Sequence, residues 1–254
     1  MAPPRLIDQD YLRAYHQQRP GITEAVLDRA RRDGTTAYQW LAEPAPIRGP
    51  VLDLACGSAP MRAALSPHVD YLGVDRSPAE LAAARLVAPG RLVRADALSL
   101  PVRDSSMDAV VCSMALMILQ PLEQVLDEIR RVLRRGGLLL ATVPADPPRL
   151  PPTVTAVIGR ALTGGALWQN PNTAALRDPK DLLTAHGFTL LDDDRRSFAY
   201  PLRDKLDAEL LLDSLYLPEL SASARRRILI LLRALTLLRT RVPIPIRRLL
   251  IQTA

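Results

Sequence analysis

The sequence has only two cysteines, Cys56 and Cys112, and both lie inside apolar, strand-like runs. We therefore expect no disulfide framework. The chain also lacks a run of about 18 uncharged apolar residues, because Arg233 interrupts the nearest candidate at 228–238. Its first residues contain no apolar core of the kind that a signal peptide needs. These absences predict a cytoplasmic protein without a membrane span.

Lysine is nearly absent as well, since Lys180 and Lys205 are the only two. Arginine therefore supplies almost all of the positive charge in a chain of net charge +6. The charge is uneven, because residues 221–254 hold eight arginines and no acidic residue. Such a segment can bind RNA or an acidic lipid surface, or can be an ordinary solvated helix face, and charge pattern alone favours the last interpretation.

No group of His, Cys, Asp and Glu has the spacing of a metal-ligand set, so we predict no metal site. The 254 residues suit one large domain, or one domain with an appendage. An apolar content of 48% is ordinary for a globular protein.

From residue 49 onward, short apolar runs alternate with helical patterns. Such alternation predicts an α/β fold with a parallel, doubly wound sheet and right-handed crossovers. Ser77 and Glu80 have the spacing of a capping box, and Gly136–Gly137 should end the clearest helix. We predict strands over 51–54, 69–74, 91–94, 108–113, 138–143, 188–191 (with an extension through 197–200) and 246–252. We predict helices over 10–18, 23–32, 60–65, 77–87, 121–135, 178–186, 202–217 and 222–239, a short turn at 38–42, a proline-rich loop at 146–152 and a break at 243–245.

Three of the predicted strands end in a carboxylate: Asp53, Asp75 and Asp96. In an open parallel sheet, ligands bind beyond the carboxyl ends of the strands. Gly57 lets a ligand approach the turn after the first of these strands, and Asp75 can accept both hydroxyls of a ribose. Asp96 can meet an adenine amino group. The three strand ends therefore predict a nucleoside site.

A nicotinamide dinucleotide would need Gly-x-Gly-x-x-Gly in the first turn. Those positions hold Ala55, Gly57 and Pro60. Because Pro60 lacks a backbone donor for a phosphate, the turn fits a cofactor without pyrophosphate better.

Several segments, in order, resemble the motifs of the class I S-adenosylmethionine-dependent methyltransferases. They cover roughly residues 49–145 and read VLDLACGSAP, YLGVDRS, RADALSLPVRDSSMDAVVCSMAL and RRVLRRGGLLLATVP. The resemblance implies a Rossmann-like sheet of seven mostly parallel strands and S-adenosyl-L-methionine as cofactor. We therefore interpret 1–48 as a helical cap or lid, 49–145 as the cofactor-binding core, and 146–254 as completing the sheet with a helical insertion on the substrate side.

The resemblance also implies roles at matching positions. The first turn would line the methionine part, the next two strand ends would hold ribose and adenine, and the fourth strand would border the sulfonium. The implied cofactor-binding residues are Asp53, Ala55, Gly57, Ser58, Asp75, Arg76, Asp96, Ala97, Cys112, Ser113 and Leu116.

Two departures from the family pattern stand out. Ala55 and Ala59 replace glycines that are common in the first motif, and alanine should be tolerated there if φ stays negative. Residues 114–119 are apolar where relatives often carry a polar or histidine cluster. The substrate side of the site is therefore expected to be apolar.

Methyl transfer is an in-line displacement that needs a general base only if the acceptor holds its proton tightly. The candidates are His16 and the neighbouring Tyr15, on a segment that in relatives often folds over the cofactor. The first hypothesis for the function is an enzyme that methylates a small hydrophobic or amphipathic molecule.

Two alternatives stay open. The layout also resembles rRNA guanine methyltransferases, although their usual four-cysteine zinc ribbon is absent; arginines 225–248 should then form one face beside the cofactor cleft. The third hypothesis is a non-catalytic binding module that retains the cofactor fold.

Overall fold

Seven strands form one sheet in a computed structural model that describes residues 5–44, 47–88, 90–145 and 168–254. The predicted loop at 146–152 lies outside these residues. A separate pair of short strands, β1 and β7, runs parallel. The strands are β1 (Arg5–Leu6), β2 (Val51–Leu54), β3 (Tyr71–Asp75), β4 (Leu92–Arg94), β5 (Met107–Ser113), β6 (Leu133–Pro144), β7 (Trp168–Gln169), β8 (Phe188–Pro201) and β9 (Arg241–Thr253).

The large sheet has the order β4-β3-β2-β5-β6-β9-β8. Strands β4 to β6 pair in parallel, whereas β9 pairs antiparallel with both β6 and β8. The predicted α/β, doubly wound and mostly parallel sheet of seven strands is therefore confirmed. The strand order reverses between β2 and β5, which is where such sheets bind ligands.

Helices cover both faces of the sheet and create two apolar cores. Neighbouring residues of a strand point to opposite faces, so Val51 belongs to one core while Leu52 and Leu54 belong to the other. The helices are α1 (Gln9–Gln18), α2 (Ile22–Leu27), α3 (Ala37–Ala42), α4 (Met61–Ala64), α5 (Pro78–Ala84), α6 (Leu122–Val132), α7 (Thr173–Arg177), α8 (Lys180–Ala185), α9 (Lys205–Asp213) and α10 (Ala222–Leu237).

The second helix is shorter than predicted, because α2 ends at Leu27 rather than at Arg32. Tertiary pairing explains the difference. Arg31 and Ala199 exchange two backbone hydrogen bonds, of 3.2 and 2.9 Å, which attach this segment to β8. The local helical pattern is thus overridden by an available strand.

Helix α6 ends at Val132, and the prediction that Gly136–Gly137 ends it is wrong. The amides of Ser105 and Ser106 donate to the carbonyls of Arg131 and Val132, at 2.8 and 3.0 Å. These bonds satisfy carbonyls that the helix end leaves free, so the chain can enter β6 at Leu133.

The predicted break at 243–245 is also wrong, since β9 runs through both prolines. The amide of Ala145 donates to the carbonyl of Pro245 (3.1 Å), which shows that Pro245 faces the β6 side. Pro243 faces the same way, because side-to-side orientation alternates along a strand. That side lies at and beyond the end of β6, so neither proline removes a bond to β8.

Candidate active site

A cavity of about 480 Å³ opens at the carboxyl ends of the central strands, at the reversal of strand order. This volume lies within the usual range for small-molecule sites. The loops after β2, β3, β4 and β5 form its floor and one wall. Residues of α1 and α2, together with Tyr216, form another part of its lining.

Most of the residues predicted to bind a cofactor come together here. The cavity is lined by Asp53, Ala55, Gly57, Asp75, Arg76, Asp96, Ala97 and Ser113, and also by His16.

Four predicted residues lie outside the lining. Cys112 and Leu116 point into the apolar core beneath the cavity and are fully buried there. Tyr15 is also buried, and its hydroxyl donates to the carbonyl of Asp213 at 2.8 Å. Ser58 lies next to the lining, and its backbone amide donates to Oε1 of Glu24 at 3.3 Å.

The turn after β2 has an unusual backbone. Ala55, Gly57 and Ala59 all have positive φ, of 53°, 54° and 63°. We expected alanine to be tolerated at positions 55 and 59 if φ stayed negative, but φ is positive at both. A non-glycine residue in this region costs about 1 kcal/mol or more, so the turn is strained at two positions. Gly57 fits because a Cβ there would collide with the carboxylate of Glu24.

Asp75 holds this turn against the end of β3. Its Oδ2 accepts the amide hydrogen of Gly57 at 2.9 Å, and its Oδ1 accepts that of Ser77 at 2.8 Å. Burial raises the pKa of Asp75 above its usual value. Each carboxylate oxygen keeps a second lone pair, so Asp75 can still accept hydrogen bonds from a ligand.

Asp53 is almost completely buried and accepts a 2.6 Å hydrogen bond from the hydroxyl of Tyr71. Burial raises the pKa of Asp53 to about 7. Its charged form is therefore disfavoured in the ligand-free protein, and a cation close to it would favour that form.

Glu24 was not predicted from the sequence, yet it lines the cavity above the Gly57 turn. Burial, and then the charge of the nearby Glu80, raise the pKa of Glu24. With Asp53, Asp75 and Asp96, it makes four carboxylates on the lining. Arg13, Arg76 and Arg94 line the cavity as well, so it offers both acidic and basic groups to a ligand.

Half of the predicted capping box is wrong. The hydroxyl of Ser77 accepts the amide hydrogen of Glu80 at 3.3 Å, as predicted, and caps α5. The carboxylate of Glu80, however, turns away from Ser77. It accepts the amide hydrogen of Gly21 at 2.8 Å and lies 2.9 Å from Nδ1 of His16. Glu80 therefore ties the start of α5 to the corner between α1 and α2.

His16 connects this carboxylate to a tyrosine. Its Nε2 lies 2.9 Å from the hydroxyl of Tyr216, which lines the cavity. In the tautomer whose Nδ1 donates to the Glu80 carboxylate, the Nε2 of His16 accepts from the hydroxyl of Tyr216. Burial raises the pKa of Tyr216 well above the usual value. Glu80, His16 and Tyr216 thus form one hydrogen-bonded chain, which we call the Glu80–Tyr216 chain.

The segment predicted to be apolar lines the opposite part of the cavity with Met114, Ala115, Ile118 and Leu119. The side-chain amide of Asn172 donates to the carbonyls of Leu116 and Leu119 at 2.7 and 2.6 Å. Gln9 donates to the carbonyl of Ile118 at 2.8 Å. This apolar wall is therefore held in place by polar groups from two other segments.

The eight arginines of residues 221–254 do not form one face beside the cavity. Arg247 and Arg248 are buried and pair with Asp193 and Asp192 of β8. The arrangement expected for RNA binding is thus absent from the described structure. Among the helices that the structure describes, none combines the length and apolar character that crossing a membrane requires.

Comparison with known proteins agrees with this geometry. Residues 52–141 match a family model described as a methyltransferase domain. A demethylmenaquinone methyltransferase of Thermus thermophilus is 36% identical over 121 residues, which are 44% of this chain and 54% of that protein. The phthiotriol/phenolphthiotriol dimycocerosates methyltransferase 1 of Mycobacterium ulcerans is 34% identical over 138 residues, 51% of each chain. The chain spans about half the length of these curated relatives.

Solved structures share the fold over a larger part of the chain. The alignment with the [4+2]-cyclase SpnF has a TM-score of 0.60 at 17% identity, and it covers 99% of this chain and 98% of the cyclase chain. The alignment with the YcgJ protein of Bacillus subtilis has a TM-score of 0.51 at 19% identity, and it covers 84% of this chain and 94% of the YcgJ chain. At such identities the likeness shows the fold alone.

Proposed function

We propose, from the premise that this chain belongs to the class I S-adenosylmethionine-dependent methyltransferases, that it methylates a small hydrophobic or amphipathic organic molecule. The observation that carries the proposal is the cavity at the strand reversal, whose lining combines carboxylates and arginines with a set of apolar side chains. The polar groups suit a nucleoside with hydroxyl, amino and charged groups, and the apolar side chains suit an apolar acceptor.

The residues present fit this cofactor. The free lone pairs of Asp75 suit the hydroxyls of its ribose, and Arg76, Asp96 and Ala97, which line the same cavity, would border the adenine. The Gly57 turn would receive the methionine part, and Glu24 and Asp53 also line this cavity. When bound, the cofactor supplies an electrophilic methyl group on a sulfonium.

The chain itself would orient the acceptor and exclude water. Met114, Ile118 and Leu119 offer an apolar surface beside Ser113 at the end of β5. Such a wall keeps the acceptor dry and lets its reacting atom approach the methyl group in line. Two relatives are named as methyltransferases of demethylmenaquinone and of phthiotriol or phenolphthiotriol dimycocerosates. These names support an acceptor of quinone or lipid type.

The Glu80–Tyr216 chain would remove the proton of an acceptor hydroxyl. The oxygen of Tyr216 would take that proton while its own proton moves to Nε2 of His16. The resulting imidazolium would be stabilised by Glu80, 2.9 Å away on the other ring nitrogen. In this proposal His16 keeps a predicted role, and Tyr216 rather than Tyr15 contacts the acceptor.

Calorimetric titration with S-adenosylhomocysteine tests the cofactor site. We expect saturable binding, weakened about tenfold or more in Asp75→Asn because a charged acceptor of hydrogen bonds is lost. Asp104→Asn changes an exposed aspartate that pairs with Arg131 and does not line the cavity; it is the matched control and should bind normally. Absence of binding by the folded, unmodified protein would exclude this function.

Methyl transfer to a reduced quinone or a phenol tests the acceptor side. Tyr216→Phe should lower kcat by about 100-fold or more with unchanged binding of S-adenosylhomocysteine. Tyr200→Phe removes another buried hydroxyl, which donates to the carbonyl of Asp207, and should leave kcat unchanged. If Tyr15→Phe loses activity and Tyr216→Phe does not, then Tyr15 rather than Tyr216 removes the proton of the acceptor. Binding without transfer to any acceptor would favour a non-catalytic module.

A further inference from the structure

Helix α10 presents an exposed face that combines large apolar side chains with arginines. Residues spaced by four and seven positions share one side of a helix, which places Arg226, Ile230 and Leu237 in line. Ile228, Leu229 and Leu232 lie on the other side and are buried in the core. We define the α10 surface as Arg226, Arg227, Ile230 and Leu237 of the helix together with the exposed Leu238, Arg239 and Arg241, which follow its end.

The apolar residues of the α10 surface are unusually exposed. Leu237 is 85% exposed, Leu238 is 75% exposed and Ile230 is 61% exposed. A single exposed aliphatic residue needs no explanation, but three on one side of a helix and its end can form a patch, and such patches mark interaction sites. Because Ile228, Leu229 and Leu232 pack the opposite side of the helix into the core, the patch faces solvent.

The arginines of this surface lie at both ends of the apolar patch. Arg225 and Arg233, on the same helix, pair with Asp213 and Glu209. Within the ranges that the structure describes, Arg226, Arg227, Arg239 and Arg241 have no such acidic partner. Because residues 221–254 contain no acidic residue, the surface carries positive charge that nothing in its own segment neutralises.

We infer that the α10 surface docks the protein on an anionic lipid bilayer. A basic helix face with large aliphatic residues binds in the headgroup region, where the apolar side chains enter the acyl boundary and the arginines meet lipid phosphates. A nucleic acid would use the arginines but would leave the aliphatic residues in water. Residues 221–254 also contain no Phe, Trp or Tyr on which a base could stack.

The docked helix is connected to the cavity. Arg225 binds the carboxylate of Asp213, whose carbonyl accepts the hydroxyl of Tyr15. Tyr15 packs edge-on against Tyr216 with 4.8 Å between ring centres, and Tyr216 lines the cavity. These contacts connect the docked helix to the cavity wall. This link to catalysis, unlike the docking itself, rests on the proposed function.

Vesicle flotation tests the inference with the full chain and without any methyl acceptor, so its outcome is independent of the proposed function. We expect binding to vesicles of phosphatidylcholine and phosphatidylglycerol, little binding to phosphatidylcholine alone, and weaker binding as salt rises. Arg226→Gln with Arg227→Gln should weaken binding by about 25-fold, since each arginine near an anionic surface contributes a factor of about five. Leu237→Gln should weaken it as well.

Matched controls remove the same groups elsewhere. Leu86 is 85% exposed, like Leu237, so Leu86→Gln should not change flotation. Arg85→Gln with Arg103→Gln removes two exposed charges outside α10 and should have a small effect. Equal losses in the control and α10 variants would overturn the inference, as would no binding to the anionic vesicles. Binding of RNA through the α10 surface in place of vesicles would overturn it in favour of a nucleic-acid partner.

Discussion

Asp53 links the stability of the protein to pH. Because burial raises its pKa to about 7, the folded state keeps a proton that the unfolded state has already lost. The stability that this proton contributes is fully present below the unfolded pKa of about 4 and is lost as pH rises through about 7. We expect the unfolding free energy of the ligand-free protein to fall over this interval by an amount on the order of 4 kcal/mol.

Asp53→Asn removes the titrating group but keeps a partner for Tyr71. Urea denaturation at a series of pH values should therefore give a shallower pH dependence for this variant between pH values of about 4 and 7. Identical pH profiles for the two proteins would contradict the assignment.

Ala55 carries backbone strain that glycine would relieve. With φ at 53°, its methyl group is unfavourable, whereas glycine adopts this conformation freely. Ala55→Gly should raise the unfolding free energy by about 1 kcal/mol. Ala82→Gly, in the middle of α5, should lower it by about 1 kcal/mol because its helical φ gains nothing from glycine. A loss of stability in both variants, measured by thermal unfolding, would show that the strain is not significant.

At the scale of elements, ion pairs of very different burial lie on β8 and β9: Arg248–Asp192 joins the two strands, whereas Arg195–Asp193 lies within β8. Arg248 is buried, donates to the carbonyl of Trp40 at 2.8 Å and to Asp192 at 3.0 Å, and lies over the Trp40 ring. Arg195 is exposed and contacts Asp193 at 3.1 Å.

Removal of the buried arginine should cost far more than removal of the exposed one. Arg248→Met removes the 2.8 Å hydrogen bond to the Trp40 carbonyl and the ion pair with Asp192, and should lower the unfolding free energy by about 3 kcal/mol. Arg195→Met should change it by less than about 0.5 kcal/mol. Chemical denaturation of the two variants distinguishes these outcomes, and equal effects would contradict the role given to burial.

The elements themselves were largely predictable from local pattern. Continuous apolar runs and the amphipathic α6 gave the strands, the main helices and the parallel sheet. Their ends were less predictable, because distant groups decide them. The amides of Ser105 and Ser106 end α6, and the backbone of Ala199 shortens α2. Nothing near those helix ends in the sequence encodes these partners.

At the scale of the whole molecule, ligand binding should be visible as stabilisation. S-adenosylhomocysteine at about 100 times its Kd should add about 2.7 kcal/mol to the unfolding free energy. For a chain of this size that corresponds to a rise in Tm of about 5–10 °C, measurable by calorimetry. An unchanged Tm at saturating ligand would show that the native state has no such site.

The candidate site was predictable only where it is local in sequence. Asp53, Asp75 and Asp96 follow strands of a recognisable pattern, so their convergence at one sheet edge follows from the fold. Glu24 and Tyr216 come from α2 and from the segment after α9, and only tertiary folding brings them to the cavity. Glu80 had a local explanation as a capping residue, which concealed its contact with His16.

The position of β9 between β6 and β8 has a consequence for biosynthesis. Strand β8 is made before β9, and among the strands that the structure describes it pairs only with β9, apart from the single bridge between Ala199 and Arg31. During synthesis, the backbone groups on the edge of β8 that pairs with β9 therefore stay unpaired until residues 241–253 leave the ribosome. A nascent chain halted before this point would present that edge to chaperones and to other nascent chains.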